Sequence, residues 1–189
     1  MTHDTWSAYT NVLVSLLAGT SVSDADGNSV ATDDGFTRWK EITVSLRKDH
    51  HTIFLIGNGA SASMASHFAA DLTKNANVAT QVFSDLSLMT AMSNDIGYEH
   101  VYADPLRRCA KTGDMLVSIS SSGKSPNILA AAKLGADVGM SMVTLTGMDG
   151  DNPLRRTGLL NFYVSAIEYG MTETAHAAIL HHWMDSVEI

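Results

Sequence analysis

Four serines fall within six residues: Ser120, Ser121, Ser122 and Ser125. They follow a short apolar run, Met115-Leu116-Val117-Ser118-Ile119, and precede Pro126 and Asn127. A run of that length reads as a buried strand, and a proline suits the first turn of a helix. A loop between such elements offers hydroxyls, backbone N–H groups and a helix N-terminus to one anion. Binding of a phosphate is the chemistry this suits. The alternative is a solvated loop whose serine only caps the helix, and the loop alone leaves both readings open.

A second loop, Gly57-Asn58-Gly59-Ala60-Ser61-Ala62-Ser63, follows the run Thr52-Ile53-Phe54-Leu55-Ile56. Its glycines allow a tight turn and close approach of backbone to a ligand. It has neither the G-x-G-x-x-G spacing of a dinucleotide site nor the Gly-Lys-Ser/Thr of a P-loop. Acid–base groups lie on predicted helices. His67 and Asp71 are four residues apart and share a helix face. Near the C-terminal end stand Glu173, His176, His181 and His182. At about 100° per residue, His176 lies about 60° to one side of Glu173 and His181 about 80° to the other. His182 points nearly opposite Glu173, so Glu173 and His181 are the pair able to serve one site.

These groups need a scaffold. Residues 6–18 and 36–48 carry apolar side chains at helical spacing, and the polar stretch 21–35 reads as a loop. Thereafter short apolar runs at 52–56, 81–83, 115–119, 142–146 and 161–164 alternate with helical segments at 61–74, 86–94, 126–139 and 172–188. That alternation predicts an α/β three-layer sandwich with a central, mainly parallel five-stranded sheet. We expect a single domain over 1–189. Its residues 1–50 form an N-terminal helical extension suited to packing against another subunit.

Composition sets outer bounds. The 189 residues carry 20 acidic and 12 basic side chains, a formal charge of -8. That argues against a general nucleic-acid binder but not against an anionic small molecule held by local N–H groups. Cys109 is the only cysteine, which excludes an intramolecular disulfide and a cysteine-rich zinc motif. Met1 to Trp6 shows no basic region followed by an apolar run, and no apolar stretch is long enough to span a bilayer. A cytoplasmic protein without membrane or nucleic-acid partners is expected.

Several of these segments together resemble the sugar isomerase (SIS) domain family, and within it the phosphoheptose isomerase branch. The matching stretches are Gly57–Ala62, Ser66-His67-Phe68-Ala69-Ala70-Asp71-Leu72, Ser93-Asn94-Asp95-Ile96-Gly97-Tyr98-Glu99, Ser118–Gly123, Asn127-Ile128-Leu129 and Thr144–Gly150, in order and spacing over roughly 36–189. The resemblance implies a homotetramer with active sites near subunit interfaces. It also implies conversion of sedoheptulose 7-phosphate to D-glycero-D-manno- or altro-heptose 7-phosphate. Such a reaction moves a proton between C1 and C2 through an enediol and needs a base and a second acid/base. Carried across, Ser120, Ser121, Ser122 and Ser125 bind the phosphate, Asn58 and Ser61 line the sugar site, and Asn94 and Asp95 belong to the substrate pocket. His181 matches the catalytic histidine.

Three positions depart from the family pattern. Asp71 stands where the family has glutamate, Glu173 where it has glutamine, and Lys124 where it has an uncharged residue. Aspartate sets its carboxylate back by about 1 Å, which matters for catalysis. The resemblance implies His181, Asp71 and Glu173 as the catalytic residues, with the base role open between the two carboxylates; if the longer carboxylate has crossed the site, Glu173 is base or zinc ligand and Asp71 ligand or hydrogen-bond partner. Some members bind zinc, and His67, Asp71, Glu173 and His181 supply a nitrogen and oxygen set for Zn2+. Lys124 either touches the phosphate or points to solvent. Two competing expectations are an isomerase of another ketose phosphate and a non-catalytic relative of replication-initiator-binding proteins.

Overall fold

A computed structural model describes residues 5–188. Residues 1–4, part of the leader reading, and residue 189 lie outside the described residues. The elements run α1 (Trp6–Ala18), β1 (Ser21–Asp24), β2 (Ser29–Val30), α2 (Thr32–Lys48), β3 (Thr52–Gly57), α3 (Ala60–Ala76), β4 (Ala79–Gln81) and α4 (Leu86–Asp95). They continue with α5 (Ala103–Cys109), β5 (Met115–Ser120), α6 (Pro126–Val138), β6 (Ser141–Gly147), β7 (Leu160–Val164) and α7 (Tyr169–Val187). Short 3-10 turns occupy Tyr98–His100 and Pro153–Arg156.

The strands form one sheet in the order β2-β1-β7-β6-β5-β3-β4. β7, β6, β5, β3 and β4 are mutually parallel, while β1 pairs antiparallel with β7 and with β2. The sheet therefore has seven strands rather than five. The two extra strands lie in 21–30, inside the stretch expected to be loop. Ser21, Ser23, Asp24 and Ser29 hide the strand pattern, because serine and aspartate read as turn formers. What fixes β1 is long-range pairing, Val22 opposite Phe162, and β2 folds back onto it with Val30 opposite Val22.

β5 is buried at all six positions and β7 at all five. Strands covered on both faces have no need of alternation, which is why they read as continuous apolar runs. One face packs against α2, α3 and α7, the other against α5 and α6. Within 1–50, α2 is a full member of this core. Trp39 is buried and stacks on Trp183 of α7 at 4.1 Å and 14°. A fully buried aromatic of this kind contributes about 3–5 kcal/mol over alanine. α1 has no buried residue and lies along the outside. Among the described residues, no helix is long and apolar enough to cross a membrane.

Candidate active site

The chain leaves β3 outward to β4 and returns to β5 on the other side of β3. The connections from the carboxyl ends of β3 and β5 thus diverge, and open α/β sheets place their ligand crevice at such a point. Both loops singled out in the sequence sit there. They wall a cavity of about 130 Å³. Asn58 and Ser61 line it from the β3 side, and Ser120, Ser121, Ser122 and Ser125 from the β5 side. Tyr169 and Glu173, from the first turns of α7, close it.

The serine loop is held by its backbone. Gly123 N–H donates to the Ser120 carbonyl at 3.1 Å, Gly147 N–H to the Ser121 carbonyl at 2.9 Å, and Leu154 N–H to the Gly123 carbonyl at 3.2 Å. Ser122 Oγ accepts from Lys124 N–H. Ser120 Oγ likewise accepts from Gly123 N–H at 3.2 Å, so these two oxygens are engaged within the loop. Ser61 and Ser121 are buried, yet their hydroxyls, like that of Ser125, have no protein partner among the described residues. Ser125 occupies the N-cap position of α6 without making a side-chain cap bond. The capping alternative therefore fails, since a capping serine spends its oxygen on a helix N–H. Three hydroxyls free of protein partners around one cavity are available to a ligand.

The β3 end is pinned from below. The Tyr102 hydroxyl donates to the Gly57 carbonyl, and burial pushes the Tyr102 phenol up to about 12. α3 and α7 both begin at the cavity and run away from it. At about 1.5 Å per residue, His67 lies about 9 Å beyond Ser61 and His181 about 12 Å beyond Glu173. There the two helices bring histidines together: the His67 and His181 rings are 5.8 Å apart, and Phe68 lies edge-on to His181 at 4.7 Å. His67 Nε2 faces Asp71 Oδ2 at 3.2 Å. The two carboxylates are thus separated, Glu173 in the serine cavity and Asp71 in the histidine patch.

Among the described residues, no three His, Cys, Asp or Glu side chains converge as a metal cage. His67 and Asp71 spend their facing atoms on each other, and Glu173 opens on the serines. As arranged, the four expected donors do not fit one ion.

The remaining expected residues lie elsewhere. Asn94 and Asp95 are exposed on α4 and bond each other, Nδ2 donating to Oδ1 at 2.8 Å, away from the cavity. Lys124 Nζ is paired with Asp149 Oδ2 at 2.8 Å, and that bond holds the Asp149 carboxyl below its ordinary range. Its ammonium is spoken for by a carboxylate rather than aimed at the serines. His182 packs edge-on to Phe36, on the far side of α7.

His176 is fully buried, its Nε2 bonded to the Thr146 carbonyl at 3.1 Å and its Nδ1 without a partner among the described residues. Burial lowers its pKa to about 4. Between pH 6.5 and 4 the unfolded chain then takes up a proton that the folded chain refuses. Stability is full above about pH 6.5 and is expected to fall as pH drops toward 4, by about 3 kcal/mol at most from this residue. Urea unfolding of wild type and His176→Gln across that range checks it; parallel pH slopes would reject the assignment.

The SIS domain family matches residues 30–147, more than half of the chain. The chain belongs to the SIS domain family. Its SIS relatives include the phosphoheptose isomerase of Helicobacter pylori strain P12, 35% identical over 155 residues that cover 78% of this chain and 79% of that one. The phosphoheptose isomerase of Aliarcobacter butzleri is 39% identical over 116 residues, 58% of this chain; the match spans 61% of that relative's length. Among solved SIS structures, the phosphoheptose isomerase of Neisseria gonorrhoeae superposes with a TM-score of 0.82 at 27% identity, over 96% of this chain and 97% of that one. That of Francisella tularensis shares the fold, with a TM-score of 0.82 at 23% identity over 99% and 98%.

Three residues at the site carried no role in the sequence reading. Tyr169 had no signal at all. Tyr98 and Asn127 lay inside matching stretches, but only the fold shows that both reach Asn58.

Proposed function

We propose that this SIS domain is an aldose–ketose isomerase of the phosphoheptose isomerase type, acting on sedoheptulose 7-phosphate. The observation that carries the reading is the set of open hydroxyls of Ser61, Ser121 and Ser125 around a cavity that Glu173 also enters. The hydroxyls and the N-terminal end of α6 hold the phosphate. The rest of the sugar lies against Asn58 and Glu173, which line the same cavity. Glu173 takes a proton from C1 of the ketose and returns it to C2. A second acid–base group gives a proton to O2 and takes one from O1, completing the enediol route. Asp71 orients His67.

Incubation with sedoheptulose 7-phosphate in deuterated water tests this. Deuterium at C2 of a new aldose 7-phosphate is expected, and its configuration there separates the manno from the altro product. No exchange with this or any other pentulose, hexulose or heptulose phosphate would leave a non-catalytic binding protein. Zinc is proposed on the resemblance alone, since binding would require His67 and Asp71 to part; metal content of the same sample, with His181→Ala as control, decides it. A cytoplasmic homotetramer is proposed likewise. Exposed Trp6, Leu86 and Ile167 support an interface, and a monomer in sedimentation would end that reading.

A further inference from the structure

The amide of Asn58 is fixed by a chain of hydrogen bonds whose polarity is set at its far end. Ile128 N–H, in the first turn of α6, donates to Asn127 Oδ1 at 3.0 Å. A backbone N–H can only donate, so this oxygen is the acceptor end of the Asn127 amide. The same oxygen accepts from Asn58 Nδ2 at 2.9 Å. In return, Asn127 Nδ2 donates to Asn58 Oδ1 at 2.8 Å. The Tyr98 hydroxyl donates to that same Oδ1 at 3.1 Å. The Asn58 carbonyl thus has two donors for its two lone pairs, and one of its two amide hydrogens is committed to Asn127. What Asn58 has left is a single N–H, on a residue that lines the serine cavity.

An unconstrained asparagine offers a ligand either a donor or an acceptor, according to which way its amide is turned. This one has no such choice. Asn127 is buried, and rotating its amide would turn Nδ2 onto Ile128 N–H, a donor facing a donor, and leave that N–H with the Ser125 carbonyl as its one acceptor. Tyr98 comes from the segment that carries Asn94 and Asp95, so the chain also ties that segment to the loops after β3 and β5.

We propose that Tyr98 and Asn127 are positioning residues that present Asn58 to the substrate solely as an N–H donor, so that the substrate atom it meets is an acceptor oxygen, on the phosphate or on the sugar. The proposal rests on the phosphosugar reading of the cavity. Tyr98 is half exposed, so loss of its hydroxyl leaves the core untouched. Calorimetric binding of sedoheptulose 7-phosphate and of inorganic phosphate is measured for wild type, Tyr98→Phe, Asn58→Ala and the double variant. Tyr98→Phe is expected to weaken sugar phosphate binding about fivefold to tenfold, the worth of one neutral hydrogen bond, with an unchanged unfolding midpoint. In the Asn58→Ala background the same substitution is expected to have no further effect, because Tyr98 acts through Asn58. Weakening for both ligands assigns the accepting oxygen to the phosphate, and weakening for the sugar phosphate alone assigns it to the sugar. Unchanged binding in Tyr98→Phe, or equal weakening with and without the Asn58 side chain, would overturn the proposal. A wild-type protein that binds neither ligand would overturn the site reading itself, and this assignment with it.

Discussion

Replacing Glu173 by glutamine is expected to lower kcat for ketose–aldose interconversion about 10²- to 10⁴-fold, the contribution of a positioned acid–base group. KM is expected to stay within about threefold, because the amide keeps the shape of the side chain and the serines still hold the phosphate. The prediction follows from where the two carboxylates stand. Glu173 is half-buried and opens on the same cavity as Ser61 and the serine loop. Asp71 lies three helical turns beyond the start of α3 with an oxygen against His67 Nε2. A carboxylate so engaged orients an imidazole more readily than it takes a carbon-bound proton. Steady-state turnover, paired with loss of deuterium exchange at C1, reads the outcome. Wild-type turnover in Glu173→Gln would return the base role to Asp71, and Asp71→Asn would then show the larger loss.

Gly123→Ala is the second large effect. Gly123 has φ of +61°, a conformation that side chains with a Cβ rarely adopt. A Cβ there would stand 1.9 Å from Asn152 Oδ1, and Asn152 is itself buried and caps the turn at Pro153–Arg156 by accepting from Arg155 N–H. The methyl group and Asn152 cannot share that space, so the loop must move. We expect a loss of about 2 kcal/mol or more in stability. Displacement of the loop by even 1 Å is expected to weaken phosphosugar binding at least about tenfold. Gly27→Ala is the control: it has φ of +83° but nothing within 4 Å, so it carries the conformational strain alone. If Gly123→Ala binds the substrate as the wild type does, the loop is not the phosphate anchor.

What was legible in the sequence was local. The apolar runs that became β3, β5 and β6 are buried on both faces, and their continuity survives without knowledge of their neighbours. The serine loop is contiguous, so its chemistry is visible residue by residue. β1 was missed because its reason for existing, pairing with β7, lies about 140 residues away, and β2 was missed with it because β2 pairs only with β1. The amide chain at Asn58 was missed for the same reason, since its partners are 40 and 69 residues distant. The reading of His67, Asp71, Glu173 and His181 as one cluster shows a different gap. Helical angles place Glu173 and His181 on neighbouring faces, but two turns of rise separate them, and an angular projection discards the rise.

The stacked pair of Trp39 and Trp183 also has an optical meaning. The chain has three tryptophans, and Trp6 is exposed while these two lie face to face in the core. Trp183 Nε1 donates to Thr43 Oγ1 at 3.0 Å, which fixes the depth at which α7 sits on α2. Two indoles held in parallel couple their electronic transitions, so their near-ultraviolet dichroism reports whether α7 is docked. Since α7 also carries Glu173 and His181, the protein has a built-in gauge of its reactive helix, readable without any label and separable from the solvent-facing signal of Trp6.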